Sequence, residues 1–378
     1  MNHAGERILV AMSGGVDSSV AAARLRDAGH DVVGVTLHLW DYPSDSRDGH
    51  GRCCAPEDQY DARRVADALG FPHYTFDRRE LFARVVVGPF VDAYLEGSTP
   101  SPCSDCNRGV KLAELFALAD RLGAKGVATG HYARIVRDDA DLPRLAMGRD
   151  ASKDQSYFLY ATPRALLDRL VFPLGESTKA EVRTEAVTRG LPGATKGESQ
   201  ELCFVGREAH AYADFVAARA DGRTRPGRIV DGAGRTVGTH AGVHRFTVGQ
   251  RRGLGVATGT PAFVTRIDPV TATVHVGGAD ALRARSASLT DVVLADGITL
   301  PVRARVRVRY RHEGDDAFVH TSDPGRGPGR ATVEFDRPVR AVTPGQVAVL
   351  YDADRVIGGG RIASSAAEGD LPARNALG

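Results

Sequence analysis

Ala11-Met12-Ser13-Gly14-Gly15-Val16-Asp17-Ser18-Ser19 is the stretch whose reading decides the fold. It follows an aliphatic run, Ile8-Leu9-Val10, and opens onto an alanine-rich segment, Val20 to Ala28, which Gly29 closes as a helix C-cap. The order is strand, loop, helix. Gly14 and Gly15 have no Cβ, so backbone N–H groups there approach phosphate oxygens closely, and the helix that follows turns its positive end toward them. Ser13, Ser18 and Ser19 add hydroxyl donors, and Asp17 is placed to hold a magnesium ion or to cap the helix. A Walker loop would need a lysine after its second glycine, and none follows here.

S-G-G-V-D-S-S resembles the PP-loop of the ATP pyrophosphatases. That resemblance implies that ATP is split into AMP and pyrophosphate while a carbonyl oxygen is activated as an adenylate. The plain alternative is a glycine-containing strand-to-helix turn with capping Asp and Ser. The loop implies a nucleotide and half of a reaction, and leaves the acceptor open.

A length of 378 residues suits about two or three domains of ~150 residues. A hydrophobic content of 42% is ordinary for a soluble globular protein. No apolar run approaches the ~20 residues of a membrane span, and Met1 to Arg7 is polar rather than signal-like, so a cytoplasmic protein is expected. The five cysteines are an odd count without a secretion signal, which favours thiol or metal chemistry over structural disulfides. A net charge of +2 predicts no nucleic-acid partner by itself, so any such partner must be read from local patterning.

From Ile8 to about Val205 strands and helices alternate: Val32 to Leu39 as strand, Glu57 to Leu69 as helix, His73 to Phe76 as strand, Leu81 to Leu95 and Val110 to Leu122 as helices, and Gly126 to Ala128 as strand. This predicts an α/β domain with a doubly wound parallel sheet. Ligands bind beyond the carboxyl ends of such strands, where the loop, Leu37, Gly130 and His131 would converge. After Val205 the texture changes. His210 to Ala220 still reads as helical, then glycine-rich sequence with short Val/Ile/Thr runs reads as a small β-rich unit, and alternating strands beyond it as a barrel or sandwich. The expected division is a nucleotide-binding catalytic domain over 1–205, a small β-rich central domain over 206–285, a C-terminal β-barrel over 286–363 and a flexible tail over 364–378. Ser322 to Arg330 reads as a flexible loop.

Thr99-Pro100-Ser101-Pro102-Cys103-Ser104-Asp105-Cys106-Asn107-Arg108 sets a C-x-x-C in a proline-stiffened loop just before the helix expected near Val110. The helix dipole, with Arg108 and Lys111, would favour a thiolate there. Cys203 lies far along the chain in Ser199-Gln200-Glu201-Leu202-Cys203-Phe204, where a buried small hydrophobe is the alternative. In Val302 to Arg311 the arginines 303, 305, 307, 309 and 311 alternate with apolar residues, so a strand would carry a basic stripe suited to RNA phosphates. A solvated sheet face is the alternative. Cys53 and Cys54 are adjacent, which suits a structural role better than joint metal binding.

Taken in order, S-G-G-V-D-S-S, T-P-S-P-C-S-D-C-N-R, A-T-G-H-Y-A (Ala128 to Ala133), K-D-Q-S-Y-F-L (Lys153 to Leu159), S-Q-E-L-C-F (Ser199 to Phe204) and T-P-G-Q (Thr343 to Gln346) resemble the bacterial tRNA-specific 2-thiouridylases over nearly the whole chain. The resemblance implies ATP, with magnesium, bound by Ala11, Met12, Ser13, Gly14, Gly15, Val16, Asp17 and Ser18 together with Leu37 and Gly130. It implies adenylation of the wobble uridine O2, attack on C2 by a persulfide on Cys203, and a Cys106 that either resolves the persulfide through a Cys106–Cys203 disulfide or helps release sulfide. A sulfur-relay protein or cysteine desulfurase would deliver the sulfur, and the uridine would flip out of its stack into the crevice. Ser101, Pro102 and Cys103 would border the target base, while His131, Lys153, Asp154, Gln155, Arg309, Tyr310 and Gln346 would contact tRNA. Ser101 stands where the family commonly has asparagine. Read alone, His131 is equally a strand-end histidine, and Lys153 and Gln155 a solvated turn. Rival readings are amidating or ligating PP-loop enzymes, a tRNA thiolase whose [4Fe–4S] cluster is held by Cys103, Cys106 and Cys203, and a non-catalytic ATP-binding RNA adaptor. Amidation would need neither Cys106 nor Cys203.

Overall fold

The computed structural model describes residues 5–41, 56–197, 202–206, 208, 210–257, 259–322 and 329–366. Cys53 and Cys54, Ser199 to Glu201, most of the expected 322–330 loop and the tail beyond Ala366 lie outside the described residues. Two compact units result. One comprises Met1–Val87, Pro102–Gly206 and Asp354–Val356, and the other Gly88–Ser101, Arg207–Ala353 and Ile357–Gly378.

The first unit begins with β1 (Arg7–Ala11), α1 (Val16–Asp27), β2 (Asp31–His38), α2 (Pro56–Leu69), β3 (His73–Asp77) and α3 (Arg79–Phe82). A π-helical turn, Ala83–Val87, leads into α4 (Gly88–Leu95), with which the second unit starts. The first unit resumes with α5 (Pro102–Cys106), a second π-helical turn (Asn107–Lys111) and α6 (Leu112–Arg121). Then follow β4 (Gly126–Ala128), β5 (Ala133–Arg137), β6 (Pro143–Met147), α7 (Ser156–Leu159), α8 (Arg164–Leu167), β7 (Leu170–Val171) and α9 (Lys179–Thr188).

The parallel sheet has the order β3-β2-β1-β4-β7. The chain moves outward from β1 through β2 to β3 and then returns to β1's other side with β4. The carboxyl ends of β1 and β4 therefore flank a topological switch point. Helix α1 is enclosed on two sides. Ala22 and Leu25 pack with Ala62, Val65 and Ala66 of α2, and Val20, Ala21 and Ala23 pack with Val182 and Ala186 of α9. Its alanines permit this close double packing, so an all-round buried surface replaces the usual amphipathic stripe.

Two local expectations are corrected here. Helix α1 starts at Val16 rather than Val20, which puts Asp17, Ser18 and Ser19 in its first turn. The helix expected near Val110 starts at Pro102, so C-x-x-C lies within it rather than in a preceding loop. Proline suits this first helical position because it has no N–H to leave unsatisfied.

In the second unit, α10 (Ala211–Ala217) precedes β8 (Gly227–Val230), β9 (Thr236–His240), β10 (Phe263–Asp268) and β11 (Thr273–Gly277), paired in the order β10-β11-β8-β9. Next come β12 (Arg283–Leu294), β13 (Val302–Arg307), β14 (Asp315–Thr321), β15 (Ala331–Arg340), β16 (Val347–Asp352) and β17 (Arg355–Ala366). The order β12-β15-β14-β13-β16-β17, with β17 pairing back onto β12, closes a barrel and removes its free edges. Ala304, Val306, Val319, Val333 and Leu350 fill its interior. Pairing of Ser364, Ser365 and Ala366 with β12 carries the closing strand into the segment expected to be a flexible tail.

Burial holds His73, His240, His244, His275 and His312 below the ordinary imidazole pKa, and both ring nitrogens of His244 lack a partner among the described residues. These rings are neutral in the fold, whereas the unfolded chain takes up protons near pH 6.5. Their contribution to stability is complete above that pH and is lost as the pH falls toward the depressed folded values. The melting temperature is therefore expected to be lower at pH 5.5 than at pH 7.5. Calorimetry at the two pH values checks this, and an equal or higher value at pH 5.5 contradicts it.

Candidate active site

At the end of β1 the chain turns through Gly14, whose φ of +69° is left-handed. A Cβ at Gly14 would lie 2.0 Å from the Asp58 carbonyl oxygen of α2, so this wall of the loop admits only glycine. A Cβ at Gly130, beyond the end of β4, would lie 2.8 Å from the Ser18 amide nitrogen. Gly130 thus rests directly on the first turn of α1. Leu37 is buried near the end of β2, in register with Phe76.

The hydroxyls close the loop on itself. Ser18 Oγ accepts from the Ser13 amide (3.2 Å) and donates to the Gly15 carbonyl (3.0 Å), which also accepts from Ser19 Oγ (3.0 Å). Gly15 occupies the N-cap position and supplies no side-chain cap. The first amides of α1 are left uncapped by a side chain, the arrangement that favours an anion.

Asp17 does not cap the helix and is paired instead. Lys179 Nζ donates to both of its carboxylate oxygens at 2.7 Å, and the Tyr132 hydroxyl donates to Oδ1 at 2.8 Å. Lys179 also lies 5.8 Å from the Tyr132 ring centroid. It opens α9, whose Thr178 and Glu181 form a reciprocal capping box. A second half-buried cation, Lys196, donates to Asp58 (2.6 Å) and Asp61 (2.7 Å), and these contacts raise its pKa in spite of partial desolvation. Sequence reasoning missed Lys179, Lys196 and Tyr132. The T-x-x-E signature at Thr178 marks a helix start, but nothing local says what that helix start faces.

Cys103 is exposed, Cys106 is buried and Cys203 is intermediate, and no disulfide joins them. All three are thiols. Because α5 begins at Pro102, the positive helix end lies at Cys103, whereas Cys106 is a turn further in. Cys203 follows Leu202 in a turn. Its neighbour Phe204 is buried edge-on against Phe82 (5.5 Å) and Trp40 (6.1 Å). Among the described residues no three His, Cys, Asp or Glu side chains are grouped to hold a metal ion.

His131 packs edge-on to Phe172, with Nδ1 2.8 Å from Thr129 Oγ1. Burial, helped by the positive charge of Lys111, pushes its pKa down to about 3. The ring is neutral, suited to a base or hydroxyl partner rather than a phosphate. Asp154 is buried and accepts from Gly148 N, Ser156 N and Ser156 Oγ. Gln155 Oε1 accepts from the Tyr132 amide at 3.0 Å. In the K-D-Q-S motif Asp154 thus holds the residue that follows β6 and Gln155 the residue that precedes β5, while Lys153 and Gln155 are both half-buried.

In the second unit, Gln346 Nε2 donates to the carbonyls of Thr99 and Pro100, both at 3.0 Å, and Ser101 beside them is buried. The expected basic stripe is broken, because β13 ends at Arg307. Arg307 is buried, donates to the carbonyls of Tyr310 and His312, and covers Tyr351 at 5.6 Å. Arg303 pairs with Asp336 at 2.9 Å. Arg309 is exposed beyond the strand and donates to the Arg340 carbonyl, while Tyr310 is half-buried. Arg303, Arg305, Arg309 and Arg311 remain as an exposed basic surface, split between the strand and the turn after it.

Family models match almost the whole chain. Residues 6–207 match a domain described as a tRNA methyl transferase HUP domain, 213–278 a tRNA methyl transferase PRC-barrel domain, and 281–362 an aminomethyltransferase beta-barrel domain. The tRNA-specific 2-thiouridylase MnmA of Sorangium cellulosum is 60% identical over 359 residues, covering 95% of this chain and 92% of its own. The protein of the same name from Moorella thermoacetica is 47% identical, covering 95% and 99%. That of Roseiflexus sp. is 46% identical, covering 94% and 99%.

Gly14→Ala is expected to cost about 1–2 kcal/mol from the left-handed backbone alone, and more as the Asp58 carbonyl is displaced. The loss appears as a melting temperature lower by at least about 2–4 °C. The exposures predict that iodoacetamide, followed by peptide mass spectrometry, alkylates Cys103 faster than Cys203 and Cys203 faster than Cys106. Fastest labelling of Cys106 would contradict this geometry.

Proposed function

As this chain belongs to the tRNA-specific 2-thiouridylase family, we propose that it replaces the C2 oxygen of a tRNA wobble uridine with sulfur, consuming ATP. The observation that carries the reading is the glycine loop and uncapped helix start at the sheet's switch point, in a chain that also holds Cys106 and Cys203.

In this reading ATP lies on Ala11 to Ser18, Leu37 and Gly130. The uridine O2 attacks the α-phosphorus, pyrophosphate leaves, and O2 becomes part of a good leaving group, AMP. The loop amides hold the triphosphate in line and stabilise the charge that gathers on the departing pyrophosphate. Magnesium bound to the triphosphate supplies further neutralisation there.

A persulfide on Cys203 then attacks C2 through its terminal sulfur, and AMP departs with the oxygen. The Cys106 thiolate attacks Cys203 Sγ. A Cys106–Cys203 disulfide forms, the bond from Cys203 to the transferred sulfur breaks, and its electron pair stays with sulfur to give 2-thiouridine. An external thiol reductant must return the pair to thiols, and a persulfide-bearing sulfur-relay protein or cysteine desulfurase must reload Cys203. Closing the disulfide brings the two sulfurs to about 2.05 Å. Neutral His131, Lys153 and the Arg309–Tyr310 turn are the tRNA contacts that this reading uses.

Incubation with ATP, unmodified tRNA and a persulfide donor, followed by digestion to nucleosides and mass spectrometry, tests the proposal. The expected products are 2-thiouridine, AMP and pyrophosphate. Bound but unchanged tRNA would support the adaptor reading. Cys203→Ser and Cys106→Ser are each expected to lower thiolation by about 1,000-fold or more. ATP–pyrophosphate exchange should survive in both, and only Cys106→Ser should retain the Cys203 persulfide.

A further inference from the structure

We propose that Lys179 is the phosphate-binding cation of the nucleotide site, and that its ammonium leaves Asp17 for the terminal phosphates when ATP binds. This rests on the reading that ATP occupies the Ala11–Ser18 loop. From Ala11 to Ser19 that loop has no basic residue, so its own contribution to a triphosphate is limited to amides and hydroxyls. The helix end offers only about half a unit charge. The missing cation arrives from far along the chain.

Lys179 Nζ is held 2.7 Å from both Asp17 oxygens, in the first turn of the helix that the loop opens, and the lysine side chain is only 12% exposed. Its backbone is fixed independently of that pair. The amide of Lys179 donates to Asp150 at 2.9 Å, and the capping box locks the start of α9. The flexible four-carbon stem can redirect the ammonium without moving the helix. Asp17 does not lose its only partner on release, because the Tyr132 hydroxyl remains bonded to Oδ1.

Lys196, also near the loop, is less suited to the exchange. It bridges two carboxylates, Asp58 and Asp61, the first of them almost fully buried, and its departure would uncover both. Lys179 therefore acts as an anion-responsive contact that pairs with Asp17 in the empty site and with phosphate in the filled one.

Calorimetric titration of the full chain with ATP, pyrophosphate and AMP tests the exchange. Lys179→Met should weaken ATP and pyrophosphate by about 10- to 100-fold. AMP should stay within about twofold, and Lys179→Arg should recover part of the loss. Asp17→Asn, which frees the lysine, should lose clearly less ATP and pyrophosphate affinity than Lys179→Met. A merely structural ion pair predicts that Asp17→Asn and Lys179→Met lose affinity alike, and that outcome overturns the proposal. So does unchanged ATP affinity in Lys179→Met. If Lys179→Met does not fold, Lys179→Gln and Asp17→Asn carry the same comparison. Should the unaltered chain bind neither ATP nor pyrophosphate, the nucleotide reading itself falls together with this inference. A defect confined to Lys179→Met that affects ATP and AMP equally overturns this inference alone.

Discussion

The opening turn of α1 has amide groups that no side chain caps, and the rest of the first unit holds that turn in place. A helix start with open donors persists at the carboxyl end of a central strand only if the loop before it and the helices beside it cannot close over it. Gly14 presses against the Asp58 carbonyl on one side and Gly130 against Ser18 on the other, so the cradle is walled by backbone. α2 and α9 clamp α1 from both flanks through alanines and valines. Serine hydroxyls turned onto the Gly15 carbonyl keep the loop folded. An anion meets a surface already organised, and little ordering remains when it arrives.

Sulfur chemistry asks for opposing properties in one place. A thiolate that receives sulfur from a partner must be reachable, whereas one that resolves the product is protected from stray oxidants by burial. In the proposed reading Cys203 takes the first role and Cys106 the second, and Cys203 is half-buried where Cys106 is buried. Phe204, wedged against Trp40 and Phe82, fixes the chain immediately after Cys203. On the other side of Cys203, Lys196 ties the approach to that segment down onto α2.

The barrel illustrates how one pattern serves two ends. Alternation at period two places Ala304 and Val306 in the interior, as reading from residue to residue requires. The same alternation implied a uniform row of guanidinium groups, but β13 stops at Arg307, and that side chain turns inward to hold the following turn by its carbonyls. Arginine's planar fork satisfies several carbonyls at once, and here it organises the Arg309–Tyr310 turn instead of facing solvent. The T-P-G-Q motif shows similar economy. Gln346 spends its amide donors on Thr99 and Pro100, and the left-handed Gly345 leaves room for Thr99 beside it.

Membership of the 2-thiouridylase family was legible in short motifs, and the doubly wound sheet and the barrel in local periodicity, because strand and helix patterns are set by neighbours two to four residues apart. The strand, glycine loop and alanine-rich helix at the N-terminal end declared themselves for that reason. Boundaries were less secure. Pro102 begins a helix that contains C-x-x-C and then runs on into α6 by way of a π-helical turn, and no local signal announces such a turn. What sequence alone did not contain was who meets whom across distance. Lys179 reaches Asp17 over 162 positions and Gln346 reaches Thr99 over 247. Those encounters depend on helices and loops being brought together by burial of surfaces elsewhere, so the charge state and commitments of the site emerge only once the chain has packed.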